Sequence, residues 1–317
     1  MSKRFALIGA AVAVVACLAL PVRPASADRL VFMTGPAGGS WYPLGAAVKN
    51  LFEEEIPGLT VDIRPGAGLI NIRGVTERKA DLGWSFSTST VDAINGRPPF
   101  EKSVEGLCNI AALYKNYAQL VSVDASIKTW ADMKGKRFAT LPRGNATEVA
   151  AQQLLKAVGL SYDDLALVNF ASTTDQVNMA KDGQVDAIFS ITAAPAGAYL
   201  DLANSRKSWF VPVTQAQFEV IKGENAGWEY VPIAANTYPN QPQDVPVAGF
   251  AMHMIANCDA MSEDMAYKLT AALAKRVRDL APVNRSLADF TVEEMAVHVG
   301  IPHHAGAARY YKEVGAL

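Results

Sequence analysis

The sequence predicts an α/β protein of two similar lobes, on three observations. Strands and helices alternate from Leu30 onward, and the alternation restarts near Lys136. The two series also rhyme at the same place in their order. Lys79-Ala-Asp-Leu-Gly-Trp-Ser-Phe86 matches Gln184-Val-Asp-Ala-Ile-Phe-Ser-Ile191. Such alternation builds a mostly parallel sheet covered by helices.

In the first series, Leu30 to Met33 reads as a strand, broken by Thr34-Gly35-Pro36-Ala37-Gly38-Gly39-Ser40. A helix follows, with Leu44, Ala47, Val48, Leu51 and Phe52 on one face at helical spacing. Pro57-Gly58 stops it. Leu59, Val61 and Ile63 alternate as a second strand, and Pro65-Gly66-Ala67-Gly68 turns into a helix carrying Ile72 and Val75. Leu82, Trp84 and Phe86 alternate as the third strand.

The second series opens with a strand from Lys136 to Leu141, then the loop Pro142-Arg143-Gly144 and a helix from Ala146 to Val158. Asn145 and Glu148 have capping-box spacing, with Asn as the cap. A strand over Leu165 to Phe170 leads through Ser172-Thr173-Thr174 into a helix ending near Gly183, and Val185 to Ile191 is the next strand. Leu120 to Val123 and Asp244 to Ile255 are strand-like and lie between the two series, so they read as crossings. The chain from Ser262 on is helical, with Met265, Leu269, Ala272 and Leu273 on one face. A discontinuous first lobe (28–123 with 244–317) and an inserted second lobe (124–243) follow.

The first 27 residues read as an address. Lys3 and Arg4 precede an apolar run from Phe5 to Leu20, and Ala25-Ser26-Ala27 offers a signal-peptidase site. The run is short for a membrane span. Val14-Val15-Ala16-Cys17 loosely resembles a lipobox, but apolar residues continue past Cys17, so lipid anchoring ranks below cleavage after Ala27. Cleavage removes three positive charges and no acid, which moves the net charge from −2 to −5. The expected product is soluble and periplasmic, and an oxidising compartment permits Cys108 and Cys258 to pair.

Composition narrows the chemistry. The chain of 317 residues is 50% hydrophobic and 19% charged, with Lys+Arg 29 against Asp+Glu 31. That supports a real core and leaves no basic patch for nucleic acid. The cysteines lack CxxC spacing, so a zinc ribbon is excluded. No GxxxxGK[ST], no GxGxxG after a strand and no GxSxG occurs, so no nucleotide, metal or other cofactor is expected and the protein is read as a non-enzyme. His303-His304 are adjacent, which suits neither zinc spacing nor a base-orienter pair, and packing accounts for them.

The binding chemistry sits in loops after strands. Ligands of open α/β sheets lie outside the carboxyl ends of strands, and helix starts offer free N–H donors to anions. Four such junctions carry small or hydroxyl residues: Gly38-Gly39-Ser40, Gly66-Ala67-Gly68 with Asn71, Gly144-Asn145-Ala146-Thr147, and Ser172-Thr173-Thr174. Turn-making explains any one of them; four in two facing lobes favour a ligand. Arg143 stands at a helix start and can clamp a carboxylate bidentately. Trp41, Tyr42, Trp84, Phe86 and Tyr114 are aromatic residues near strand ends; core packing is the default for each singly, though Trp41-Tyr42, directly after Ser40, can wall a pocket.

Those motifs resemble a known family. Thr34-Gly-Pro-Ala-Gly-Gly-Ser-Trp-Tyr-Pro-Leu-Gly45 is similar to the N-terminal signature of the TAXI solute-binding proteins, which serve tripartite ATP-independent periplasmic (TRAP) transporters. Asn71 with Ala80-Asp81-Leu82-Gly83, Val185-Asp-Ala-Ile-Phe with Ala194-Pro195, and Gly300-Ile-Pro-His-His-Ala-Gly-Ala-Ala-Arg-Tyr-Tyr-Lys-Glu-Val-Gly315 extend the resemblance along the chain. It implies a type II periplasmic-binding-protein fold, with two lobes, a hinge and a central ligand cleft. It implies a protein that captures a small carboxylate, often an amino acid such as glutamate, for TRAP-type permease subunits; a monomer is expected. The binding residues it implies together with the loops are Gly39, Ser40, Trp41, Tyr42, Asn71, Trp84, Ser85, Arg143, Asn145, Thr147, Ser190 and Thr192. Two departures stand out: Arg143-Gly-Asn-Ala-Thr147 replaces the family's Pro-Gly-Ser-Gly-Thr loop, and Ser87-Thr88-Ser89 replaces an acidic residue after the third strand. The alternatives are a binding protein for an ABC transporter or a sensor, and an exported α/β enzyme.

Overall fold

The structure, a computed structural model, describes residues 28–35, 40–143 and 145–317. The expected export signal, Cys17, Gly39 and Gly144 lie outside the described residues. In chain order the elements are β1 (Asp28–Met33), α1 (Trp41–Glu55), β2 (Leu59–Arg64), α2 (Gly68–Thr76), β3 (Leu82–Phe86), α3 (Ser87–Ile94) and the long β4 (Leu107–Ser122). The second series runs β5 (Arg137–Thr140), α4 (Ala146–Lys156), β6 (Leu167–Phe170), α5 (Thr173–Lys181), β7 (Ala187–Thr192), α6 (Gly197–Ser205), β8 (Trp209–Val211), α7 (Gln215–Glu224) and β9 (Glu229–Ile233). A second long strand, β10 (Val245–Asn257), returns to α8 (Glu263–Arg276), α9 (Val292–Met295) and α10 (Ala305–Glu313). Among the described residues no helix is long and apolar enough to cross a membrane.

The local causes are visible in the sequence. Helix α1 buries Leu44, Val48, Leu51 and Phe52, the stripe its spacing predicts. Ser172 and Ser262 cap α5 and α8 with their hydroxyls. Asn145 caps α4, but it accepts the N–H of Thr147 at 2.9 Å, one residue earlier than a capping box requires.

The strands form one sheet in the order β2-β1-β3-β10-β4-β7-β5-β6, with β8 beside β4 and β9 beside β10. β1 is parallel to β2 and β3, and β5 is parallel to β6 and β7. The two parallel sets are joined through β4 and β10, which run antiparallel to each other and to their neighbours. Strand β3 pairs with the far half of β10, whereas β7 pairs with β4 only from Tyr117 onward. The hand-over falls at the facing pair Tyr117 and Gly249. A side chain on Gly249 would meet Val231 Cγ2 at 2.7 Å and the Asn116 carbonyl oxygen at 2.9 Å, so the crossing needs glycine.

The expectation of a short strand at Leu120–Val123 is corrected: β4 spans sixteen residues. Its register against β10 shifts twice, between Ala251 and His253 and between Met254 and Ile255. Each bulge turns side chains off the period of two, which hides a strand from pattern reading.

Two pairs of apolar clusters fill the two lobes. In the first lobe, α1, α8 and α10 cover one sheet face around Phe32, Trp84 and Leu269, and Ile72, Val75 and Ile255 pack on the other. In the second, Leu154, Phe189 and Phe218 lie on one face and Val177, Ile188 and Tyr199 on the other. Cys108 and Cys258 form a disulfide across a sequence separation of 150, with Cα atoms 5.3 Å apart. Three of the four histidines serve packing, and His298 is exposed. His253 is fully buried, with Nδ1 3.1 Å from Asn109 Oδ1 and Nε2 3.1 Å from the Thr90 hydroxyl. Asn109 Nδ2 donates to His303 Nδ1, and His303 Nε2 donates to the Ala296 carbonyl. His304 caps α10.

Candidate functional site

On the first lobe, three loop ends converge at the carboxyl edge of β1, β2 and β3. Asn71 locks them together. Its Nδ2 donates to the carbonyls of Thr34 and Trp84, both at 2.8 Å, and its Oδ1 accepts the Ala67 N–H at 3.1 Å. The side chain is buried and committed to these bonds. Asn71 therefore shapes the site from behind.

In front of that lock stand Trp41, Gly68 and Ser85. A methyl on Gly68 would lie 3.8 Å from both Ser85 Oγ and Trp41 Cη2, so the bare backbone of Gly68 lies beside the two, with Ser85 buried. The Trp41 indole N–H donates to the Tyr114 hydroxyl at 2.9 Å. Burial, above all, pushes the Tyr114 phenol up to about 12, against the smaller opposing pull of hydrogen bonds to Trp41 and Ser40. Ser40 is exposed and Tyr42 half-buried beside it. Trp84 points away: it is fully buried and meets Phe32 edge-on, with ring centroids 4.6 Å apart. Strand alternation explains the contrast, since neighbours Trp84 and Ser85 face opposite sides of the sheet.

On the second lobe, Arg143 is exposed and its guanidinium stacks on Phe170 at 4.7 Å, with Tyr162 at 5.9 Å. Asn145 and Thr147 form the start of α4, where the Asn145 side chain is already spent as the cap. The buried Ser190 hydroxyl lies 3.1 Å from that of Thr173 at the start of α5. Thr192 gives its carbonyl to Gln119 Nε2 at 3.2 Å, and Gln119 Oε1 accepts from the Tyr238 hydroxyl at 2.7 Å.

Two polar residues that the sequence reading passed over are buried in the sheet. Asn116, on β4 at the hand-over, is nearly buried, and its Nδ2 has no hydrogen-bond partner among the described residues. The Thr140 hydroxyl, at the end of β5, is buried in the same condition. Buried polar atoms are nearly always satisfied, and five others share this condition among the described residues: Trp84 Nε1, Trp130 Nε1, Gln176 Oε1, the Ser208 hydroxyl and Glu229 Oε1. No sequence signal marks Asn116, because its place depends on the length of β4. Thr140 ends a strand whose sequence was legible, and strand-end position was the available signal.

A family model described as the NMT1-like family matches residues 32–315. A solved structure of a TctC solute-binding protein from Polaromonas is 18% identical, covering 93% of this chain and 99% of that one, with a TM-score of 0.58. The periplasmic sulfonate-binding protein SsuA from Methylobacillus flagellatus is also 18% identical, covering 92% and 88%, with a TM-score of 0.53. These likenesses show the fold, that of the two-lobed periplasmic binding proteins.

Proposed function

The chain belongs to the NMT1-like family, and from that premise we propose that it is the periplasmic solute-binding subunit of a transporter of the TRAP type, TAXI class. It captures a small carboxylate between its lobes and delivers it to membrane permease subunits. The observation that carries this reading is the hand-over at Tyr117 and Gly249. Two strands alone carry the sheet from one lobe to the other, while loop ends rich in Ser, Thr, Asn and Gly edge the seam on both sides. A pivot at that pair, a few residues from the sequence-drawn limits at 123 and 244, lets the lobes close on a ligand by hinge motion.

Arg143 and the starts of α4 and α5 supply positive potential on the second lobe; Ser40 and Ser85 supply hydroxyls on the first. A ligand touching both sets favours the closed state by its difference in affinity for the two states. The test is a thermal-shift screen of carboxylates and neutral sugars, followed by spin-label distances between the lobes at verified saturation. Carboxylates should raise the melting temperature and shorten the distances. Stabilisation by sugars alone would overturn the carboxylate, and unchanged distances would overturn capture by closure.

A further inference from the structure

The seam carries an apolar wall. Trp41 meets Phe86 edge-on with ring centroids 4.8 Å apart, Phe86 meets Phe250 at 5.0 Å, and Phe250 meets Trp228 at 5.3 Å. This row runs from the start of α1 across the end of β3 and onto β10, then into the second lobe. Phe86 packs against the cores of both lobes. Trp41 and Phe86 are the half-buried members; Phe250 and Trp228 are buried.

The two half-buried rings of the wall, Trp41 and Phe86, have no donor left to offer. The Trp41 N–H is taken by Tyr114, and the bulge in β4 next to Tyr114 aims that hydroxyl at it. The exposed Arg64 stands at the end of the outer strand β2, two strands and about 10 Å from β3. Five buried donors lack a partner among the described residues, the Trp84 and Trp130 indoles and the Ser208 hydroxyl with two others: Asn116 Nδ2, on the same face of β4 as Tyr114 and opposite Phe250 in register, and the Thr140 hydroxyl. Against the ring faces of Trp41 and Phe86 themselves a carboxylate would lose hydration and meet no free donor on either ring, which is unfavourable. An alkyl or aryl group there would gain contact area and leave water.

We infer that the ligand is a carboxylate with one charged end and an apolar body. The body lies against Trp41 and Phe86, and the carboxylate faces Asn116, Thr140 and Arg143. The inference rests on the reading of the seam as the ligand site and narrows its ligand class: a second acid group on the ligand is selected against.

Calorimetry with 4-methylpentanoate, phenylacetate, succinate, L-glutamate and the neutral phenylacetamide separates the outcomes. The two monoacids should bind roughly tenfold or more tighter than succinate and glutamate, as a few carbons in an apolar site allow. Phenylacetamide should bind at least tenfold more weakly than phenylacetate. Trp41→Ser should erase the preference for the monoacids, and Asn116→Ala should weaken phenylacetate with the preference kept. Equal or tighter binding of the two diacids would overturn the apolar wall while leaving carboxylate capture standing. Phenylacetamide binding as well as phenylacetate would overturn the carboxylate itself. Failure of all five probes to bind would overturn the inference.

Discussion

Ser87, the first residue of α3, donates its hydroxyl to the carbonyl of Gly227 at 2.8 Å, joining positions 140 residues apart. Asn225 Nδ2 reinforces the contact by donating to the Thr88 carbonyl at 3.0 Å and to Asp92 Oδ1 at 2.8 Å. The segment after α7 thus rests on a helix of the first lobe, a third joint beside the two crossing strands.

Gly227 is the tightest point of that joint. A methyl there would come within 2.6 Å of the Ser87 carbonyl group and 2.7 Å of Thr88 Cα, all backbone that has little room to move. Gly227→Ala should therefore destabilise the fold by about 1–3 kcal/mol and change the lobe distance without touching any loop end. Urea unfolding and the spin-label distances check it; a variant as stable as the parent would show that the joint is loose.

Burial holds His253 down to about 3, with His303 a lesser contributor in the same direction. The folded protein keeps the ring neutral, while the unfolded chain takes up a proton below its ordinary value near 6.5. Stability is therefore lost as the pH falls below 6.5, by about 2 kcal/mol at pH 5 from this residue. Urea midpoints at pH 7 and pH 5 should separate more for the parent than for His253→Gln.

Asn71→Ala leaves the Ala67 N–H and the Thr34 and Trp84 carbonyls without their partner, three bonds at once. A loss of about 3 kcal/mol is expected, together with weaker ligand binding as the loop ends come apart. Asn71→Asp should be no better at neutral pH, because it sets a carboxylate against two carbonyl oxygens. Denaturation curves of the two variants decide the matter.

Arg143→Ala should weaken carboxylate binding roughly 10- to 150-fold, from about 1.5–3 kcal/mol for a hydrogen bond to a charged group. Calorimetry reads it directly. An affinity within about threefold of the parent would leave Arg143 as a surface cation packed on Phe170.

Much of the fold was legible because α1, β2, α4 and α5 each bury one side, β3 alternates large apolar residues along its sequence, and punctuation such as Pro57-Gly58 marks the breaks. Strand β4 was not legible beyond its last residues. It is buried along nearly its whole length, and two bulges break its phase. Strand β8 has only three residues, too few to show a period. At the site, loop positions could be read from glycine and hydroxyl spacing, but side-chain direction could not. Trp84 and Ser85 are neighbours in sequence and opposites in space, and Asn71 spends its amide on the end of β1, on β3 and on the β2–α2 loop rather than on a ligand.

Substituting both Cys108 and Cys258 by Ser should lower stability by about 2–5 kcal/mol while leaving ligand affinity close to that of the parent. Thermal unfolding with and without reductant gives the same comparison on the unaltered chain. A melting temperature insensitive to both would show that the pairing does not constrain the unfolded chain.

The same bond gives the molecule an unusual answer to damage. Everything from residue 109 to residue 257, the whole second lobe included, lies on a ring of chain tied off at one knot. A single proteolytic cut anywhere on that ring opens it without releasing a piece. A once-nicked molecule should migrate as a full-length band on a non-reducing gel and fall into two fragments when reduced. In a compartment that is both oxidising and rich in proteases, one clipped loop would not cost the protein its second lobe.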